Sequence, residues 1–187
     1  MPRTEKIPHW KTLQRKHVAD GRFFQFIREL REEEGSNKQA EFDLIETRDW
    51  ANIIAITTDR EIVLIEQFRQ GSGRVEIEIP GGIVDEGEEP GEAVLRELKE
   101  ETGFIPTPKS TFKHLGTVRP NPAFLNNHCY TSLVTEVEFS EEPTFDETEN
   151  ISVKLLPLNQ LEEFTSTGAI GHALVLAAFH WYKLSEG

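Results

Sequence analysis

Three glutamates crowd the segment Arg96-Glu97-Leu98-Lys99-Glu100-Glu101, inside a stretch from Pro90 to Thr102 whose apolar spacing predicts a helix. At about 100° per residue, Ala93, Glu97, Glu100 and Glu101 share one side, Val94, Leu95 and Leu98 adjoin it, and Lys99 points elsewhere. An apolar stripe can therefore dock the helix while the carboxylates gather beside it. Like charges at i,i+4 cost roughly a few tenths of a kcal/mol per pair, and anions toward a helix C-terminus oppose the dipole. A divalent cation would offset both costs, and carboxylate oxygens are the ligands that Mg²⁺ and Mn²⁺ prefer. Taken alone, the cluster reads first as a solvated charged face.

The longer pattern decides between the two. From Gly82 the chain runs five residues to Glu88, seven more, and then Arg96-Glu97-Leu98-Lys99-Glu100-Glu101-Thr102-Gly103-Phe104. This resembles the signature of the Nudix hydrolases, Gly-x5-Glu-x7-Arg-Glu-U-x-Glu-Glu-x-Gly-U with U apolar, and matches all nine of its specified positions. The resemblance implies an α/β fold of the Nudix type, an α/β/α sandwich around a mixed sheet. It also implies hydrolysis of a nucleoside diphosphate linked to a further group. By motif position Glu97 and Glu101 correspond to metal ligands, Glu100 to a further ligand or catalytic acid, and the Gly81 carbonyl to a backbone ligand. Gly82, Glu88, Arg96 and Gly103 correspond to structural members of the motif. Mg²⁺, or Mn²⁺ in its place, would neutralise phosphate oxygens and ease deprotonation of the attacking water.

Outside the motif the chain resembles the branch that cleaves ADP-ribose and other nucleoside diphosphate sugars. Glu66-Gln67-Phe68-Arg69 is similar to that branch's strand, whose arginine contacts substrate, and Glu76-Ile77-Glu78-Ile79-Pro80-Gly81-Gly82 to its lead-in. Arg69 and Glu78 are accordingly candidate substrate contacts. Phe145-Asp146-Glu147-Thr148-Glu149-Asn150-Ile151 resembles its acidic loop, which implies Glu147 as general base and Glu149 as second choice. Where many relatives carry Ser-Pro-Gly, this chain reads Arg119-Pro120-Asn121-Pro122-Ala123-Phe124-Leu125-Asn126-Asn127-His128, which admits other diphosphate sugars and makes His128 a candidate contact. The branch also implies an N-terminal β-domain that spans a two-fold homodimer and helps enclose the base. Phe24 and Trp50 are the aromatic candidates there, with Phe23 and Phe26 beside them.

Composition limits the alternatives. With 20 Lys+Arg against 33 Asp+Glu in 187 residues, the net charge is -13, a field that repels nucleic acid but admits a small phosphorylated substrate beside bound cations. No apolar run is long enough to span a membrane. Met1 to Lys16 is polar and basic and lacks the apolar core of a secretory signal. The single Cys129 excludes an intramolecular disulfide and a thiolate cluster, so a cytoplasmic setting is expected. Two other readings of the same residues are a triphosphate or oxidised-nucleotide pyrophosphatase, and a non-catalytic sensor of nucleotide sugars.

The elements that must position these groups follow from patterning. Arg22–Leu30 and Glu41–Thr47 read as strands around a turn over 31–39. Ala51–Thr58 and Glu61–Phe68 form a hairpin about Asp59-Arg60, and both are apolar enough to be buried on two faces. Val75–Ile79 alternates and runs into a Pro80-Gly81-Gly82 loop. Strands are expected again at Thr111–Val118, Cys129–Phe139 and Ile151–Leu156, and a closing helix over Gly171–Lys183. Residues 1–48 are the expected dimerising β-region and 49–187 the hydrolase domain.

Overall fold

The computed structural model describes residues 7–145 and 150–186. The chain divides into two compact units, one of residues 1–48 with 119–127 and one of residues 49–118 with 128–187.

The smaller unit is an antiparallel meander of β1 (Trp10–Asp20), β2 (Phe24–Glu33) and β3 (Gln39–Thr47). β1 pairs with β2 from Trp10↔Glu33 to Asp20↔Gln25, although its side chains are almost all exposed. β2 runs three residues further than the expected turn allows, because Glu32 still pairs with Gln39. The reversal then needs only 34–38, where Gly35 takes φ +83°. Ile27 and Glu29 are the buried residues of this sheet. Burial pushes the Glu29 carboxyl up. The hydrogen bonds from Arg31 and Thr12, with the charges of Arg31 and Arg15, outweigh it and hold the group below the ordinary carboxylate range. Residues 119–127 return to this unit through Ile45 N–H to the Phe124 carbonyl, 2.8 Å, and Asn127 Nδ2 to the Arg48 carbonyl, 3.2 Å.

The larger unit carries an eight-stranded mixed sheet. Its elements are β4 (Trp50–Thr57), β5 (Glu61–Arg69), β6 (Arg74–Glu78), β7 (Gly81–Ile83), β8 (Phe104–Pro106), β9 (Phe112–Val118), β10 (Cys129–Phe139) and β11 (Ile151–Pro157). The strand order is β11-β5-β4-β10-β8, with β6 on β5, β7 on β4 and β9 on β10. β10 lies parallel to β4, and every other pairing is antiparallel. Three helices follow their expected or local signals: α1 (Pro90–Thr102), the short α2 (Leu161–Ser166) and α3 (Ala173–Ser185).

The period of two along β4 creates two cores. Ala51, Ile53 and Ala55 pack with Ala93, Val94 and Leu98 of α1, while Ile54 and Ile56 pack with Val175, Ala178 and Phe179 of α3. Helices thus cover both faces, and the expected α/β/α sandwich is the observed one. Burying a Leu or Ile side chain contributes about 1.5–3 kcal/mol, so the layers on either side of β4 hold the central strand firmly. No helix among the described residues is long and apolar enough to cross a membrane.

Candidate active site

The loop before α1 is built to hold Arg96. Gly87 takes φ +82°, which closes a tight turn in which the Asp85 N–H donates to Glu88 Oε2 at 3.0 Å. Glu88 then accepts from Arg96 Nε at 2.9 Å and Nη2 at 3.0 Å, a bidentate pair. The same guanidinium donates to the Ile83 carbonyl at 3.1 Å, to Glu97 Oε1 at 2.8 Å and to Glu100 Oε2 at 3.1 Å. One side chain therefore ties strand β7, the loop and two of the helix acids together. The Arg96 hydrogen bond is the main cause that pulls the Glu88 carboxyl below its ordinary value, and the Glu88 hydrogen bond likewise raises Arg96.

The helix acids differ in their surroundings. Glu101 is buried, and its Oε2 accepts the Gly81 N–H at 2.9 Å. Glu97 is mostly covered, with its carboxylate beneath Gly82, where an added Cβ would run into Oε1. Glu100 is exposed. At the far end Gly103 caps α1 at φ +73° and lies against the Glu141 carbonyl, where no Cβ fits.

A cleft of about 620 Å³ opens beside Gly81 and Gly82. Trp50 and Asn52 project from β4 on one side of it, and the start of α3 contributes His172 and Val175. Strands β5 and β6 supply two arginine–carboxylate pairs. Arg69 holds the buried Glu78 through Nε at 2.6 Å and Nη2 at 2.9 Å, and Arg74 Nε holds Glu76 at 2.7 Å. That hydrogen bond from Arg74, followed by one from Ser72, keeps Glu76 ionised below the ordinary carboxylate range. His172 Nδ1 lies 3.7 Å from Glu78 Oε2.

Of the residues singled out in the sequence, Arg69, Glu78, Trp50, Gly81 and Gly82 line this cleft together. Glu101 reaches its wall through Gly81. His128 does not line it; its backbone N–H donates to Asp49 Oδ1 at 2.7 Å and its ring nitrogen lies 3.5 Å from the same oxygen. Phe24 is an exposed residue of the three-stranded sheet in the smaller unit. Glu147 and Glu149 lie outside the described residues. Sequence reasoning passed over Asn52, Arg74, Glu76 and His172. Asn52 had a readable signal, as the one polar side chain inside the apolar run Ala51-Asn52-Ile53-Ile54-Ala55-Ile56.

Among the described residues no three His, Cys, Asp or Glu side chains converge into a group able to hold an ion by themselves. Glu97 and Glu100 turn to Arg96, and Glu101 to the Gly81 N–H. The donor chemistry nevertheless suits a hard divalent cation. Three carboxylates project from one helix, and the absence of a side chain at Gly82 lets the Glu97 carboxylate lie directly against the backbone before it.

The model of the NUDIX domain matches residues 47–179. An ADP-ribose pyrophosphatase of Bacillus subtilis (strain 168) is 26% identical over 178 residues, covering 94% of each chain. An ADP-ribose pyrophosphatase of Saccharomyces cerevisiae is 39% identical over 82 residues, 43% of this chain and 34% of that one. The crystal structure of an ADP compounds hydrolase shares the fold at a TM-score of 0.81, with 22% identity over 94% of this chain and 92% of its own. With the domain model spanning most of its length and the Gly82–Phe104 motif intact, the chain belongs to the Nudix hydrolase family.

Proposed function

We propose that the protein hydrolyses the diphosphate of nucleoside diphosphate sugars of the ADP-ribose kind, in the presence of Mg²⁺, to a nucleoside monophosphate and a sugar phosphate. The observation that carries this reading is the Glu101–Gly81 hydrogen bond, which joins the glutamate-bearing helix to the wall of the cleft. The names of the Bacillus and yeast relatives point to the same substrate class.

In the reaction a water oxygen bonds to one phosphorus, the bridging P–O bond breaks, and the proton passes to a carboxylate base. Glu147 is that base in this proposal, with Glu149 second and Glu100 as a further acid on the helix. Glu97, Glu100, Glu101 and the Gly81 carbonyl would hold the divalent ions. Bound there, such ions supply neutralisation of phosphate charge and a lowered pKa for water. Arg69, fixed by Glu78, presents a guanidinium to the substrate in a set orientation, so little freedom is lost on binding. Arg96 keeps Glu97 and Glu100 beside the loop. Trp50 offers an aromatic surface within the cleft.

The three-stranded sheet, with Phe24 exposed on β2 and Phe23 exposed just before it, is proposed as the homodimer contact. A cytoplasmic setting suits the single buried Cys129.

The test is turnover with Mg²⁺ across ADP-ribose, other nucleoside diphosphate sugars, dinucleotides and nucleoside triphosphates. Preferential release of AMP and ribose 5-phosphate from ADP-ribose is expected. Turnover confined to triphosphates would contradict the reading, and binding of ADP-ribose without turnover would turn it into a sensor.

A further inference from the structure

Asn52 sits where an amide is out of place. Its neighbours on β4 are Ala51, Ile53, Ile54, Ala55 and Ile56, all buried and apolar. By the strand period it shares a face with Ile54 and Ile56, the row that packs against α3. An aliphatic residue would continue that row. Asn52 is only 8% exposed, and its Oδ1 meets no hydrogen-bond partner among the described residues. Nearly all buried polar groups in native proteins are paired, and an unpaired one is destabilising. A cost carried on the central strand calls for an explanation.

The position supplies one. Asn52 pairs with Gly81 across β4 and β7 and lines the cleft. The pairing is so close that a Cβ on Gly81 would strike the Asn52 Cα and Cβ. The amide is therefore fixed next to β7, whose Gly81 N–H is held by Glu101. A second buried polar atom without a hydrogen bond, His172 Nδ1, belongs to the same cleft.

We propose that Asn52 is a specificity-determining residue, whose Oδ1 accepts a hydrogen bond from a hydroxyl of the sugar beyond the diphosphate. The chemistry of the acceptor selects this partner. An amide oxygen requires a donor, and the two guanidinium groups of the cleft are already turned to carboxylates, Arg74 to Glu76 and Arg69 to Glu78. The unpaired Asn52 oxygen therefore suits a hydroxyl, which can donate, and not a phosphate oxygen, which is itself an acceptor and suits the arginines of the cleft. A site built to bond a hydroxyl also rejects analogues that lack it, because the buried acceptor is then left unmade. This inference rests on the diphosphate-sugar reading above and deepens it.

The test compares ADP-ribose with adenosine propyl diphosphate, in which a propyl group replaces the sugar and carries no hydroxyl. The wild-type protein is expected to favour ADP-ribose by at least about tenfold in kcat/KM. Asn52→Leu keeps the branched shape and removes the acceptor. It should lower kcat/KM on ADP-ribose about tenfold more than on the propyl compound. In the same variant the ligand-free protein should melt higher, by about 2–4 °C, because a buried unpaired oxygen is gone. Asn52→Thr, which restores an acceptor on a β-branched side chain, should recover part of the preference and stands in if the leucine variant fails to fold. Equal losses on both compounds, or no loss, would overturn the assignment. If the wild type cleaves both compounds equally, this inference falls while the hydrolase reading stands. If it cleaves neither, the hydrolase reading falls, and calorimetric binding of the same two compounds to wild type and variant still decides whether Asn52 reads the hydroxyl.

Discussion

Gly82 faces the carboxylate of Glu97 so closely that even one methyl group on its backbone would collide with Oε1. What would be displaced is the end of a flexible side chain, so the backbone need not move. At Gly103 the corresponding neighbour is the Glu141 carbonyl, and φ is +73°. The two glycines of the motif therefore protect different things, one the placement of an acid and the other the end of a helix.

A pair of alanine variants separates these roles. Gly82→Ala should reduce kcat at least about tenfold, through displacement of Glu97, a proposed ion ligand, while melting within a few degrees of wild type. Gly103→Ala should lower stability by about 1 kcal/mol or more, since the left-handed conformation is strained for any side chain. Thermal melts and ADP-ribose turnover of both variants check this. A Gly82→Ala protein with full activity would contradict the placement of Glu97.

Arg96 binds four acceptors with a planar fork that lysine lacks. Arg96→Lys should therefore destabilise the folded state by about 1–3 kcal/mol. Urea denaturation at pH 7 measures it, and an unchanged midpoint would show that the loop is held by other contacts.

The same pair gives an acid signature. The Glu88 carboxyl lies below its ordinary value of 4.5 in the folded protein, chiefly through the Arg96 hydrogen bond. Its contribution to stability is thus complete above pH 4.5 and is lost as pH falls through the lower, folded value. Glu88→Gln should be less stable than wild type near neutrality, and the gap should close toward pH 3. A gap that stays constant from pH 7 to pH 3 would contradict the assignment.

Burial pushes the Cys129 thiol up to about 12. Native protein at pH 8 should accordingly resist iodoacetamide and react once unfolded. Mass spectrometry of the two samples reads the outcome, and rapid modification of the native chain would show that the β10 strand opens.

The motif helix is legible because helical period and glycine signals coincide there, the central hairpin because two nearly continuous apolar runs flank Asp59-Arg60, and the closing helix through its apolar spacing. The strand β1 is not, since Lys11, Gln14, Arg15 and Lys16 show no apolar face and the strand exists through its pairing with β2. Three-residue strands such as Gly81–Ile83 and Phe104–Pro106 are too short for any period to register. Arg69 and Glu78 each stand out in the sequence as candidate substrate contacts, but their mutual fork depends on β5–β6 register, which local patterning does not reveal. His172, at the start of α3, meets Glu78 only in three dimensions.

In the proposed reaction the glutamates of α1 serve the hydrolysis of a diphosphate. Glu101→Gln tests it most directly, because glutamine still presents an oxygen to the Gly81 N–H and removes only the charge. With ADP-ribose and Mg²⁺, kcat should fall at least about a hundredfold, the fold should be unchanged, and the rise in melting temperature on addition of Mg²⁺ should be smaller than in wild type. Turnover equal to that of the wild type would contradict it.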